Sequence, residues 1–403
     1  ECHSKMKPQL YLVVLCAITL FIIYRMPNSQ YQEAELEARL HPFDTIKDAD
    51  PVNKIGYLPH GIMQSNSDME LKPLWVTKGP NLEETVQCHQ NLLAISVGIK
   101  QKKTVDSIIR KFLPDNFTAI LFHYDGDVNG WHNLPWSKRV VHIAALNQTK
   151  WWFAKRFLHP DVVSIYDYIF LWDEDLGVDN FHPARYIEIV KSEGLEISQP
   201  ALDPYLSEIH HRITVRRKKG KVHRRVYDNR AGGDCSSTSD KPPCAGWVEG
   251  MAPVFSRSAW RCAWNLIQND LIHGWGIDMK LGYCAQGDRT KKVGVVDDEY
   301  IVHQGIQTLG GPSTEMNEKG IRQPVVRSKR MLRKGVIQNR GRPRTSDARI
   351  EVRRQARVEL QNFQERWNRA VREDESWIDP FHPNPTTRAQ NDANEFGPVL
   401  SLD

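Results

Sequence analysis

Three consecutive acids, Asp173, Glu174 and Asp175, close the apolar run from Ile165 to Trp172. A run of that length reads as a buried strand that delivers its carboxylates to the strand tip. Acids held so close repel one another and stay ionised together only with a cation between them, and oxygen ligands suit Mg²⁺ or Mn²⁺. A solvated acidic turn, or a helix N-terminus neutralised by its dipole, is the plainer reading of the same residues. Other candidates lie along the chain: Ser96-Val97-Gly98, followed by Lys100, Lys102 and Lys103, and then Asp125. A strand, a glycine and a helix in that order aim backbone N–H groups and lysines at a docking phosphate. Asp125 suits a ribose or a turn cap. Further on stand Glu249, Asp278 in Gly274-Trp275-Gly276-Ile277-Asp278, and His303, which taken alone is an ordinary packed histidine.

The elements that must position these groups follow from periodicity. Leu92 to Val97 and Phe117 to Tyr124 read as strands, Val105 to Leu113 as the helix between them, and 147–158 as a second helix feeding the acidic strand. Alternation of this kind predicts an α/β fold with a mixed, mostly parallel sheet flanked by helices. A helix over Phe181 to Ser192 and a strand over Leu195 to Pro200 continue it. The basic stretches Ile209 to Val215 and Lys221 to Tyr227 alternate like a hairpin, and Arg257 to Ile267 reads as a helix capped by Ser256 or Ser258. Val293 to Val296 is a late strand. Over 349–372 Ala356, Leu360, Phe363, Trp367 and Val371 share one helical face.

The chain of 403 residues is long enough for a large core, and 40% hydrophobic with 26% charged residues describes a globular protein. Its net charge of +5 is uneven: sixteen Arg/Lys against four Asp/Glu fall between Ile321 and Arg372. Leu10 to Tyr24 carries no charge, follows Lys5 and Lys7, and precedes Arg25. This predicts a signal anchor over 10–26, a cytosolic tail over 1–9 and everything later in the lumen. No small-x-small site follows Tyr24, which argues against a cleaved signal peptide. Asn116-Phe117-Thr118 and Asn147-Gln148-Thr149 are then glycosylation acceptors. No Cys-x-x-Cys or Cys/His zinc spacing occurs, so disulfides are expected in an oxidising lumen. Cys235 with Cys244, and Cys262 with Cys284, are the expected pairs, although spacing alone leaves connectivity open.

Taken together, strand-Gly, strand-Asp, Asp-Glu-Asp, Glu-Gly-Met, Gly-Trp-Gly-x-Asp and a late Val-x-His resemble the nucleotide-sugar glycosyltransferases of the GT-A fold. The run from Tyr124-Asp125-Gly126 to Trp172-Asp173-Glu174-Asp175 is similar, more closely, to the plant DUF707 family, over about residues 85 to 310. Residues 27–80 mix Pro, Gly, Asn and charge without periodicity and are expected to be a stem and irregular lead, and 313–403 a basic extension; the resemblance implies a GT-A-like catalytic domain over 81–312. It implies Mn²⁺ (or Mg²⁺) held by Asp173, Asp175 and His303. A nucleotide-sugar donor, UDP-linked, would lie on Ser96, Val97, Gly98, Asp125, Asp173 and Glu174. Asp278 would be the base of an inverting transfer, with Glu249 or Asp297 as alternatives. The expected partners are a glycan or glycoprotein acceptor and a Golgi membrane, with no nucleic acid. A catalytically silent GT-A-like carbohydrate-binding or scaffold protein is the competing reading. An RNA-related regulator is disfavoured by the anchor and the sequons.

Overall fold

The structure is a computed structural model, and it describes residues 58–63, 91–227, 235–236, 238–306 and 348–381. Its first strand, β1 (Asn91–Val97), is buried along its length. Leu92 and Ala94 join one apolar cluster while Leu93, Ile95 and Val97 join another. A strand with no polar side must be covered on both faces, which is the situation of a central parallel strand. Helix α1 (Lys102–Phe112) returns the chain to β2 (Phe117–His123), and β3 (Val141–Ala144) lies outside it. Helix α2 (Lys150–Phe157) then leads to β4 (Tyr168–Trp172) on the other flank of β1. These four strands are parallel, in the order β3-β2-β1-β4.

The second half is mixed. It contains β5 (Leu176–Gly177), α3 (Pro183–Ser192), β6 (Ile197–Leu202), β7 (Val222–His223), β8 (Val254–Ser256), α4 (Arg257–Leu266), α5 (Arg289–Lys292) and β9 (Val293–His303). The sheet continues β4-β8-β6-β9-β5, with β8 antiparallel to both neighbours and β6 parallel to β9. Short β5 and β7 run antiparallel to β9. The mixed α/β sheet is thus the one the alternation predicts, and its longest pairings are parallel.

Helices cover both faces. In α1, Val105, Ile108, Ile109 and Phe112 are buried at helical spacing. Phe112 meets the rings of Phe117 at 4.9 Å, Trp172 at 5.1 Å, Phe170 at 5.5 Å and Phe181 at 5.6 Å. This aromatic cluster is the seat of the strand that carries the acids. On the opposite face Phe153, Trp260, Trp264 and Trp367 pack into one cluster. Trp367 belongs to α6 (Ala348–Glu373), so the helix expected at 349–372 is part of the core. Leu58 and Ile62, from the stretch read as stem, lie in the same cluster. His60 N donates to Asp374 Oδ2 at 3.0 Å, tying that stretch to the end of α6.

Two expectations change. The basic segments do not form a hairpin: Arg212–Thr214 is a single 3-10 turn, and β7 pairs with β9 instead. Ile213 is buried from within that 3-10 turn, and His223 of β7 reaches the buried Asp297 at 2.8 Å, so each segment packs on the sheet rather than on the other. The late strand, in turn, does not stop at Val296 but runs on to His303. It accommodates Asp297, Asp298 and Glu299 as a bulge, since its pairing with β6 jumps from Val296 to Tyr300. The segment 10–26 lies outside the described residues, and among those no helix is long and apolar enough to cross a membrane. Disulfides Cys235–Cys244 and Cys262–Cys284 are both present. Asn116 and Asn147 are exposed, with left-handed φ of 64° and 57°, a conformation that asparagine tolerates well.

Candidate functional site

Asp175 and His303 meet because β5 starts immediately after the acids and pairs with the last residues of β9, Leu176 lying opposite His303. His303 Nε2 stands 3.6 Å from Asp175 Oδ2. On the other side of the ring, His303 Nδ1 donates to the carbonyl of Glu208 at 2.9 Å. A carbonyl only accepts, so that bond assigns the proton to Nδ1 and turns Nε2 toward the carboxylate. Asp175 Oδ2 also accepts from Ile306 N at 3.0 Å. Burial, and then the neighbouring Asp173 charge, raise the Asp175 carboxyl above the usual range, while His303 opposes them.

Asp173 points elsewhere. Its Oδ1 pairs at 2.6 Å with Lys150 Nζ, which also donates to the Gly250 carbonyl at 2.5 Å. Lys150 is buried while the Asp173 side chain stays 39% exposed, so the second carboxylate oxygen remains available. Asp175, the His303 imidazole and that oxygen form a donor set of the kind Mn²⁺ accepts. Among the described residues no three metal-ligating side chains already converge. A cation held here would meet Asp175 and His303 first and would need Asp173 or a ligand's own oxygens to complete its shell.

Glu174 turns inward, contrary to the expectation that it faces a nucleotide. Its Oε2 accepts from Gly98 N at 2.7 Å and its Oε1 from the Tyr124 hydroxyl. Burial drives its carboxyl up to about 8, against the pull of those two bonds. Gly98 is needed here, since a Cβ would fall 2.4 Å from the Tyr124 hydroxyl oxygen. Its N–H is consequently spent inside the protein rather than offered to a phosphate. Asp125 is likewise occupied, accepting from Ile99 N at 2.6 Å and Asp127 N at 3.1 Å. Val97 is buried, and the Ser96 hydroxyl is buried without a partner. The tip of β1 is thus a braced turn in which Ser96 alone has an uncommitted polar atom.

A second pair of acids lies beside Lys150. Glu249 Oε1 takes His210 Nδ1 at 3.0 Å, and its Oε2 is buried without a partner. That contact, above all, raises the His210 pKa. Asp278 ends the Gly274–Asp278 loop, which lies against Trp151 where Gly274 has no side chain. Its carboxyl is pushed up to about 7, chiefly by burial and then by the Glu249 charge, with Lys150 acting in the opposite sense. Asp278 therefore feels the Glu249 charge and exchanges its proton near neutrality. Asp297, the third candidate base, is spent on Arg217 N at 2.6 Å and on His223.

The structure thus gathers Asp173, Asp175, His303, Glu249 and Asp278 around Lys150 and His210, and it turns Glu174 and Asp125 into braces. Lys150, Tyr124 and Glu208 are site residues to which sequence gave no role. Only Lys150 left a signal, as a cation opening a helix whose first turn is otherwise tryptophan and phenylalanine. His210 was visible merely as one of many basic residues in the supposed hairpin.

Among solved structures, the first 349 residues of S. aureus TarS align with 53% of this chain and 59% of their own length, at 6% identity and a TM-score of 0.34. The S. cerevisiae mannosyltransferase Ktr4p aligns over 39% of this chain and 51% of its own, at 11% identity and a TM-score of 0.21. Its complex with GDP aligns over 39% and 52%, at 9% identity and a TM-score of 0.22. These are partial, loose superpositions: the chain spans 59% of that TarS fragment, 36% of the longer TarS structure and 51% of Ktr4p. No curated protein matches the sequence. A family model does match, and it takes in residues 50–373, from ahead of β1 to the end of α6. The chain belongs to the DUF707 family, described as proteins of unknown function.

Proposed function

We propose that this protein is a metal-dependent, inverting glycosyltransferase of GT-A type that moves a sugar from a nucleotide-sugar donor to a hydroxyl of a glycan or glycoprotein. The observation that carries the reading is the meeting of Asp175 and His303 at 3.6 Å in the same site as Asp278, a carboxyl raised to about 7. Asp175, His303 and the free oxygen of Asp173 would hold Mn²⁺ or Mg²⁺, which when bound offsets charge on the donor's diphosphate. Lys150 orients Asp173 through their 2.6 Å ion pair. Asp278 accepts the proton of the acceptor hydroxyl as its oxygen bonds to the anomeric carbon. The bond from that carbon to the diphosphate breaks, and its electron pair leaves with the nucleoside diphosphate. A carboxyl held near 7 suits this role, being half ionised at neutral pH and basic enough to take the proton. Glu249, fixed by His210, adds its charge to the burial that chiefly raises that carboxyl.

The setting is the secretory pathway, through an anchor at 10–26. Support comes from the uncharged run Leu10 to Tyr24, the two disulfides and the exposed Asn116 and Asn147. The carbohydrate-binding or scaffold reading has one observation in its favour: an ammonium, Lys150, already occupies one oxygen of Asp173.

The two readings separate in a screen of nucleotide sugars for Mn²⁺-dependent thermal stabilisation and for hydrolysis. Saturation at a hundred times Kd stabilises by about 2.7 kcal/mol, an easily measured rise in Tm. Asp175→Ala should abolish the Mn²⁺-dependent part and leave the metal-free Tm within a few degrees. Stabilisation that persists in this variant would remove Asp175 from the site, and binding without turnover of any donor would favour the scaffold.

A further inference from the structure

Arg289 opens α5 at 1% exposure, and its Nε and both terminal nitrogens have no hydrogen-bond partner among the described residues. A guanidinium stays charged and brings five N–H donors, so a buried one without acceptors is strongly disfavoured unless something supplies them. The chain nonetheless makes room for it. At Gly246, where φ is +63°, a Cβ would fall 2.7 Å from Arg289 Cγ, and at Gly282 one would fall 3.3 Å from its Cδ. The charged head lies over the ring of Phe381 at 4.2 Å and near that of Tyr283 at 5.5 Å. Arg289 also lines a cleft of about 480 Å³, together with Arg225, Asp240, Asp288, Thr290 and Phe381.

We propose that this cleft binds a carboxylated saccharide, a sugar of the uronic-acid class. The sugar carboxylate pairs side by side with two N–H groups of Arg289, the planar match that a guanidinium makes best. Phe381, already under the guanidinium, lines the apolar side of the cleft for the sugar ring. Asp240 and the Oδ2 of Asp288 accept its hydroxyls, since Asp288 Oδ1 already takes Thr290 N and Oγ1. Two arginines and two aspartates line the cleft, so its charge balances, and what favours a sugar over phosphate is the ring for Phe381 and the row of hydroxyls for the carboxylates. Nothing in this site draws on the chemistry at Asp175, so it stands or falls independently of the transferase reading.

The test titrates the full-length chain with D-galacturonate, D-galactose and inorganic phosphate, following Tm and the heat of binding. Galacturonate should raise Tm in a concentration-dependent way while galactose and phosphate leave it unchanged. Arg289→Met should lose about tenfold or more in galacturonate affinity, the effect of deleting one charge-assisted pair. Phe381→Ala, at the half-buried edge of the cleft, should weaken galacturonate binding as well, and it serves if the arginine variant does not fold. A response to phosphate equal to that to galacturonate would reduce the cleft to a plain anion hole and overturn the proposal. So would full galacturonate affinity in either variant, or no response to galacturonate at all.

Discussion

Replacing Asp278 with Asn tests the proposed base through stability as well as turnover. The carboxyl has its pKa at about 7 in the fold against 3.8 in the unfolded chain. At 1.36 kcal/mol per tenfold change, the ionised form is disfavoured by about 4 kcal/mol. Asp278 is only partly buried, so solvent screening brings this nearer to about 2 kcal/mol. Between pH 3.8 and 7 the folded state holds the proton that the unfolded state has lost. Stability is therefore lost as pH rises through this window, and the full penalty is present above pH 7. Asn carries no such penalty. Asp278→Asn should consequently be more stable than the parent at pH 8 by roughly 3–4 °C in Tm, with the gap closing below pH 4. Thermal melts by circular dichroism at pH 4, 6 and 8 measure it. Sugar transfer should fall at least about a hundredfold, as expected for removing a general base, with donor binding retained. A stability gap independent of pH, or an Asn variant less stable at pH 8, would refute the assignment of Asp278 as a carboxyl disfavoured in its charged form. Unchanged turnover would move the base to Glu249.

Phe112→Ala should lose about 3–5 kcal/mol, the range for truncating a buried aromatic, because four rings lie within 5.6 Å of it. Denaturant unfolding measures it, and a loss under about 1 kcal/mol would show that the cluster does not brace β4. Replacing both Cys262 and Cys284 with Ala should cost about 2–4 kcal/mol, since their bond closes a loop of sequence separation 22 that ties α4 to the turn before α5. An unfolding midpoint identical to the parent's under oxidising conditions would contradict that role.

What sequence revealed about the site divides by the range of the interaction. The acids after Trp172 stood out because an apolar strand that stops in charge is a local pattern, and the packed face of α6 and the helix flanks were legible for the same reason. His303 and Asp278 were found only as members of an ordered set of motifs, for no local rule distinguishes either from an ordinary packed residue. The braces were hidden altogether. Glu174 reads as a ligand-facing acid until Gly98 N and the Tyr124 hydroxyl, from β1 and the end of β2, are seen to take both its oxygens. Lys150 neutralises Asp173 across 23 residues, and Glu208 fixes the His303 tautomer through a carbonyl that any residue would offer. The hairpin failed for a related reason: alternation in basic residues mimics a strand pattern, but His223 found its partner in the bulge of β9.

Phe363, Trp367, Ala370 and Val371 share a hydrophobic cluster with Leu92 of the first strand and with Ile62 ahead of it. These side chains follow that strand by about 270 residues. Domains ordinarily fold as they emerge during synthesis, yet this one cannot seal the apolar flank of its sheet until α6 has been made. The nascent chain carries that flank uncovered until then, and a stop codon ahead of α6 would leave it bare for good.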